Sequence, residues 1–280
     1  MTYIIPNEGW PVTINVDIRD LTDSDVKEIA KLLVTKAVVV FKNQQLQIRD
    51  ELNFLGKFGD LYHYKLKKEE HINAVTPDSK FVANVTGKKN AYGLPGLHGG
   101  TDNLDWHCNN PWQSDRMPIV YLYALAGSAG SRTSYNNSIL AYKDLPIEWK
   151  EKIENLRLRV GMLYDNYSQF GKSFHMPTTE VDDYHPSIHQ KNIGNIDVLY
   201  FPFLQIHGLL GYNDMKKEEA EIVNYLRDFI LQDKYVYHHD WDDGDVVIAD
   251  QWSGLHKRWA FKDMENRLLH RILANYSKVF

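Results

Sequence analysis

The sequence predicts an α+β protein that is mainly β: a double-stranded β-helix, or jelly roll, with flanking helices. Three observations carry this. Strand-forming stretches are short and numerous, set off by turn residues. Aromatics make up 12% of the residues, including 17 Tyr, which suits strands and a pocketed interior better than a helical bundle. The few helical patterns are short and amphipathic, fitted to lie against sheets. At 280 residues the chain can bury a sizeable core. No repeat, low-complexity run or linker of boundary length divides it, so residues 1–280 are read as one domain.

Taken in order, Asp20 to Lys36 reads as an amphipathic helix. Thr22 and Asp25 suit a capping box, and Val26, Ile29, Ala30 and Leu33 share a face. It feeds a buried strand, Ala37 to Phe41, and a short helix around Arg49 to Lys57 stops at Phe58-Gly59. Phe81 to Val85 reads as a strand. The stretch from Thr86 to Asp105 is polar and holds five glycines, long for a plain connection and read as a lid or binding loop. Ile119 to Ala126 and Ser131 to Tyr135 are strands, and Ser138 to Leu145 and Pro146 to Leu156 are short helices. Lys191 to Asn195 marks a hairpin with strands on either side. Lys216 to Leu231 is the clearest helix, with Ile222, Tyr225, Leu226 and Phe229 on one stripe. Tyr235 to His239, Val246 to Ala249 and Arg267 to Asn275 complete the strands.

A net charge of −5 gives no electrostatic case for nucleic acid or an anionic membrane. The basic cluster Lys65 to Lys68 is cancelled at once by Glu69 and Glu70. Cys108 is the only cysteine, so no disulfide can form within the chain and a reducing compartment is expected. No window is apolar enough for a membrane span. The expectation is a cytoplasmic protein with a small-molecule substrate and neither nucleic acid nor membrane as partner; homo-oligomerisation stays open.

Two histidine-centred motifs point to chemistry. Trp106-His107-Cys108-Asn109 places a His and an amide two residues apart, so on a strand both side chains reach the same side. Far downstream, Gly244-Asp245 opens an apolar strand that ends at Asp250, and His256 follows. Arg267 and Arg271 come next; four apart on a strand they share a face, roughly 13 Å from each other. A His-x-carboxylate turn, a second His and a downstream Arg form the ligand set of non-haem Fe(II) oxygenases that use 2-oxoglutarate. Singly, each motif also has a plain reading. A lone His-x-Asn is more often structural, His256 fits a loop after an edge strand, and two arginines fit an outward strand face. Two inward guanidiniums would need anions, one a carboxylate of 2-oxoglutarate and the other an anionic substrate group.

Together these segments resemble the taurine dioxygenase (TauD/TfdA-like) family of Fe(II)/2-oxoglutarate-dependent oxygenases. Ala37 to Gln44 resembles the family's early strand and Phe-x-x-Gln turn. Phe54 to Asp60 is similar to its helix and Phe-Gly stop. Trp106 to Asn109 stands where the family has Trp-His-x-Asp. Gly130 to Tyr135, with Ala141 to Pro146, resembles its Gly-Gly-x-Thr strand and Ala-Tyr-x-x-Leu-Pro helix, and Asp250 to His256 with both arginines matches its C-terminal signature. The resemblance implies a dioxygenase using Fe(II), 2-oxoglutarate and O2 to hydroxylate or desaturate a small anionic or amino-acid-like molecule, with release of succinate and CO2. It implies His107 and His256 as iron ligands, with Asn109 in the third position. It implies Thr133 and Arg267 on the 2-oxoglutarate carboxylate, and Arg271 and Asn103 as substrate contacts.

Position 109 departs from the pattern. An amide oxygen is neutral and a weaker ligand than a carboxylate, so the site keeps one more unit of positive charge. Asp102 and Asp105 stand close enough in sequence to offset this from behind the ligands. Two other outcomes on the same scaffold follow from Asn109: a binding protein with an impaired metal site, or a halogenase.

Overall fold

A computed structural model describes residues 9–64, 80–115, 117–161, 184–211 and 216–280. The Lys65 to Glu70 cluster lies outside them. The elements run β1 (Val12–Ile14), α1 (Asp23–Lys36), β2 (Val38–Phe41), α2 (Ile48–Leu55), β3 (Ala83–Val85), β4 (Leu104–His107), β5 (Ile119–Ala126) and β6 (Arg132–Asn136). Then follow α3 (Ser138–Asp144), α4 (Ile147–Ile153), β7 (Arg157–Val160), β8 (His189–Lys191), β9 (Asp197–Leu199), β10 (Ile206–Leu210) and α5 (Lys216–Ile230). β11 (Val236–Asp240), β12 (Val246–Asp250), β13 (His256–Arg258) and β14 (Leu268–Ala274) finish the chain. Helix α1 starts at the expected capping box, where the Thr22 amide donates to the Asp25 carboxylate and the Asp25 amide to Thr22 Oγ1. The expected hairpin is β8 paired antiparallel with β9.

The double-stranded β-helix expected from the sequence is not what the strands form. They divide into a six-stranded sheet, β1-β2-β12-β5-β14-β3, a four-stranded sheet, β11-β6-β13-β4, and two separate pairs, β10-β7 and β8-β9. Among the described residues no sheet closes into a barrel, and the fold is α+β with several sheets and five α-helices. The reason lies in pairing. Alternating apolar residues mark a strand, but its neighbours are chosen by long-range packing, as when β12 inserts between β2 and β5.

Strand β2 shows why its apolar run is continuous. Val39 and Phe41 pack with the buried faces of α1 and α2, whereas Val38 and Val40 face the four-stranded sheet beside Tyr135 and Trp241. Strand β12 alternates likewise, Val246 and Ile248 against Val247 and Ala249. Both faces of the six-stranded sheet are therefore covered, as a strand without polar positions requires. Strand β14 obeys the same period of two: Ile272 and Ala274 join the helix side, and Leu269 the side of the smaller sheet. Arg271 shares the parity of Leu269 and so points between the sheets. A third cluster packs α3, α4 and α5 over Trp106, Cys108 and Leu255, which flank the two histidines of interest.

Phe54 stands edge-on to both Phe41 and Phe58, with ring centroids 5.9 Å and 5.3 Å away. Phe54→Ala should lower unfolding free energy by about 3–5 kcal/mol. Ile147→Ala, at a side chain 68% exposed, should change it by less than about 0.5 kcal/mol. Urea denaturation of the two variants measures both.

Candidate metal centre

His107 closes β4 and His256 opens β13. The strands are antiparallel and the two residues are direct partners across the ladder. Their rings lie with centroids 4.2 Å apart, tilted by 50°. Each side is fixed locally. His107 Nδ1 donates to its neighbour's carbonyl, Asp105 O, at 2.6 Å, which leaves Nε2 as a lone-pair acceptor. That Nε2 is buried without a hydrogen-bond partner. Before His256, the buried Asp250 carboxylate takes the amides of Trp252 and Ser253 at 2.8 Å and the Tyr276 hydroxyl at 2.7 Å. Gly254 is obligatory there, because a Cβ would run into the Asn136 carbonyl.

The turn that carries Asn109 is gripped by two glutamines. Gln205 accepts from the Cys108 amide at 2.9 Å and donates to the Cys108 carbonyl at 3.0 Å, as a neighbouring strand would. Gln251 accepts from the Asn109 amide and donates to Met117 O. The Asn109 side-chain nitrogen is buried and unpartnered. No local sequence pattern announces either glutamine. Among the described residues no three His, Cys, Asp or Glu side chains gather closely enough to hold an ion, as an amide at position 109 entails.

His107, Asn109 and Arg271 line one cavity of about 230 Å³ together with Tyr62, Tyr64, His98 and Trp112. No Asp or Glu lies in its wall. Arg267 is 1% exposed; its Nε donates to Ser131 Oγ at 3.2 Å, and its Nη1 has no partner. Ser131 is two residues from the buried Thr133, whose Oγ1 accepts from Trp241 Nε1 at 2.9 Å. The structure thus brings His107, Asn109 and Arg271 to one cavity, sets His256 beside His107, and sets Arg267 against Ser131, two residues from Thr133. Asn103 is used differently: its Oδ1 accepts from the Ala260 amide at 2.7 Å, and it does not line the cavity. Asp105 turns to Lys257 Nζ at 3.1 Å and caps the Trp106 amide.

Arg258 was not anticipated, although two residues after His256 on a strand is the same face. Its guanidinium donates to the carbonyls of His98 and Asp102. With Gly87 N on Met264 O and Leu97 N on Asn84 O, this fastens the Thr86 to Asp105 stretch at several points, so the expected lid is tied to the fold.

Burial dominates the electrostatics. It pushes His107 down to about 4, with Arg271 and Arg258 adding to the fall, and it holds His256 well below the ordinary histidine value. Burial also lowers Arg258 and Arg267 to about 10. Neutral imidazoles are what a metal needs.

The pattern that describes the taurine catabolism dioxygenase TauD, TfdA family matches residues 6–273, and the chain belongs to that family. It is 23% identical over 276 residues to the (S)-phenoxypropionate/alpha-ketoglutarate-dioxygenase of Sphingobium herbicidovorans, covering 92% of this chain and 88% of that one. It is also 23% identical to the alpha-ketoglutarate-dependent 2,4-dichlorophenoxyacetate dioxygenase of a Burkholderia species, covering 90% and 86%. The fold matches the crystal structure of AAD-2 in complex with Mn(II) and N-oxalylglycine, with a TM-score of 0.74, 19% identity and 94% of each chain covered. A taurine dioxygenase from Burkholderia xenovorans gives 0.71 at 16% identity, covering 94% and 85%. Family membership supports Fe(II)/2-oxoglutarate-dependent oxygenase chemistry on a small substrate. Among the described residues no helix is long and apolar enough to cross a membrane.

The lowered His107 value sets a pH dependence. Between about 4 and the ordinary 6.5 the unfolded chain binds a proton that the folded chain refuses, so stability falls as pH falls through this window. The metal-free protein should lose on the order of 3 kcal/mol from this residue by pH 4, with no His107 contribution to the slope above pH 7. His107→Gln should flatten the acid limb in urea titrations at stepped pH.

Proposed function

We propose that this protein is an Fe(II)- and 2-oxoglutarate-dependent oxygenase that hydroxylates or desaturates a small anionic molecule. The observation that carries the reading is the pairing of His107 with His256, the buried, unpartnered Nε2 of His107, and buried guanidiniums close by. His107 and His256 would hold the metal, with the Asn109 oxygen as a neutral third ligand. Arg267, whose Nη1 is unpartnered, would take the far carboxylate of 2-oxoglutarate with the Thr133 hydroxyl. Iron and 2-oxoglutarate with O2 supply the oxidant for attack on a substrate carbon, giving succinate and CO2.

The chain's own contribution is placement. Arg271 offers a cation to an anionic substrate group inside the cavity. Tyr62, Tyr64 and Trp112 offer an aromatic wall to the rest, and the buried Tyr64 hydroxyl has no partner. Relatives named for phenoxypropionate and 2,4-dichlorophenoxyacetate support a substrate that joins an anion to an apolar body. The glutamine grip on residues 108 and 109 would keep the ligand turn from relaxing when substrate enters, and the aromatic wall would exclude water.

Anaerobic addition of Fe(II) and 2-oxoglutarate should give a weak visible charge-transfer band, and admission of air should yield succinate. His107→Ala and His256→Ala should each weaken metal binding by more than about 100-fold, beyond the loss expected for an outer-shell partner. A folded wild-type protein that gives neither the band nor metal-dependent loss of 2-oxoglutarate would sink the reading.

A further inference from the structure

Four aromatic side chains form one row across the four-stranded sheet. Tyr237 on β11 is the register partner of Tyr135 on β6, Tyr135 of His256 on β13, and His256 of His107 on β4. Each strand contributes one ring, and the rings follow one another on a single face. Centroids are 6.5 Å apart from Tyr237 to Tyr135, 6.3 Å from Tyr135 to His256 and 4.2 Å between the histidines. The first two pairs are near parallel, at 21° and 27°. The half-buried Trp10 extends the row past Tyr237, edge-on at 6.3 Å. The paired histidines are thereby linked, ring by ring, to the edge strand β11.

Such a row stiffens a sheet by cross-strand packing alone. Packing does not explain how its two phenols are treated. The Tyr135 hydroxyl is buried with no hydrogen-bond partner. The Tyr237 hydroxyl lies 2.8 Å from His239 Nδ1, and His239 Nε2 stands 3.1 Å from the Asp245 carboxylate. A lone pair aimed at a carboxylate would be repelled, so Nε2 carries the ring proton, Nδ1 accepts, and Tyr237 donates. His239 and Asp245 are 2% and 0% exposed, and Lys42 Nζ holds the same carboxylate at 2.6 Å. Burial, with Asp245 and Asp240 adding to it, pushes the Tyr237 phenol up to about 12, so it keeps its proton at rest. Oxidising a phenol in a dry interior is easy only where the proton can leave, because the alternative is a buried, unpaired cation. His239 backed by Asp245 can take a proton from Tyr237; no hydrogen-bonded base stands by Tyr135.

We propose that Tyr237 is a redox-active tyrosine that drains the centre of oxidising power when dioxygen is consumed without substrate. This rests on His107 and His256 as the metal ligands. The electron acceptor is the strong one-electron oxidant produced at the metal when 2-oxoglutarate and O2 react and no substrate is present. One electron leaves Tyr237 and passes along Tyr135 and His256 to that oxidant, which is reduced by one electron. The Tyr237 O–H bond breaks, and its proton forms an N–H bond at His239 Nδ1, where Asp245 faces the new imidazolium. Tyr237 is left as a neutral phenoxyl radical on the edge strand, two strands away from the nearer metal ligand. A one-electron reductant of the ascorbate class returns the electron from solution, the proton moves back from His239, and the phenol is restored.

The test is freeze-quench EPR of the full chain loaded with Fe(II) and 2-oxoglutarate, mixed with O2 in the absence of substrate, with succinate measured on the same samples. A free-radical signal should appear that narrows when the tyrosines are ring-deuterated, and a nitroso spin trap should mark the Tyr237 peptide. Tyr237→Phe should abolish signal and mark and leave succinate formation as in wild type. His239→Gln, which accepts a hydrogen bond but no proton, should lose the signal as well, whereas a purely structural His239 would leave it. Tyr135→Leu, which breaks the row and spares Tyr237 and its base, should cut the radical yield. If a variant fails to fold, spin-trap mapping of wild type still decides the site. Succinate without a tyrosyl signal overturns the proposal alone. So does a signal undiminished in Tyr237→Phe, or a mark confined to Tyr62, Tyr64 and Trp112, which line the cavity itself. Absence of succinate means that the oxygenase reading has failed, and the relay falls with it.

Discussion

The register between β4 and β13 is the constraint on which the centre depends. Because His107 and His256 are opposed across an antiparallel ladder, one slip would turn His256 to the far face and part the two rings. The register is held from several sides. Asn136 Oδ1 takes the Leu255 amide, the Asp250 carboxylate sets the preceding turn, and Gly254 lets the strand pass close to the Asn136 carbonyl. Arg258 then ties β13 to the loop that leads into β4. Polar groups that are costly to bury unpaired are spent here on backbone position, which gives the imidazoles a fixed separation before any ion arrives.

The treatment of buried charge differs between this centre and the rest of the chain. On the helix side of the large sheet, Glu51 meets His270 Nδ1 at 2.7 Å. Near the start of β12, Asp245 is shared by Lys42 at 2.6 Å and His239 at 3.1 Å. Among the described residues Arg258, Arg267 and Arg271, all buried, form no such ion pair, although Asp102 lies near enough to act on Arg258. Buried cations without a paired carboxylate are costly, and an anion bound beside them would lower that cost. The neutral Asn109 deepens the same imbalance.

Much of this was legible beforehand. The capping box of α1, the apolar runs of β2 and β12 and the hairpin of β8 and β9 all follow from periods of two or 3.6 and from local turn chemistry. The two histidine motifs stood out because residue types and order were preserved along the whole chain. Asn103 has a local role that the sequence does not show: its side chain closes a loop onto Ala260, a contact no spacing rule encodes. The jelly-roll expectation failed at the level of pairing, since β7 with β10 and β8 with β9 form sheets of their own.

By itself the sequence determined which residues carry polar chemistry, where the main helices and the longer strands lie, and that position 109 has no charge to offer. Those are properties of side chains and of short-range periodicity. Only the tertiary structure decided that His107 faces His256, that Gln205 and Gln251 grip the intervening turn, and that Arg258 joins Arg267 and Arg271 in the interior. Such contacts span about a hundred residues or more in sequence, from 97 for Gln205 on Cys108 upward, and they form only once the sheets have packed and burial has made each unpaired group count.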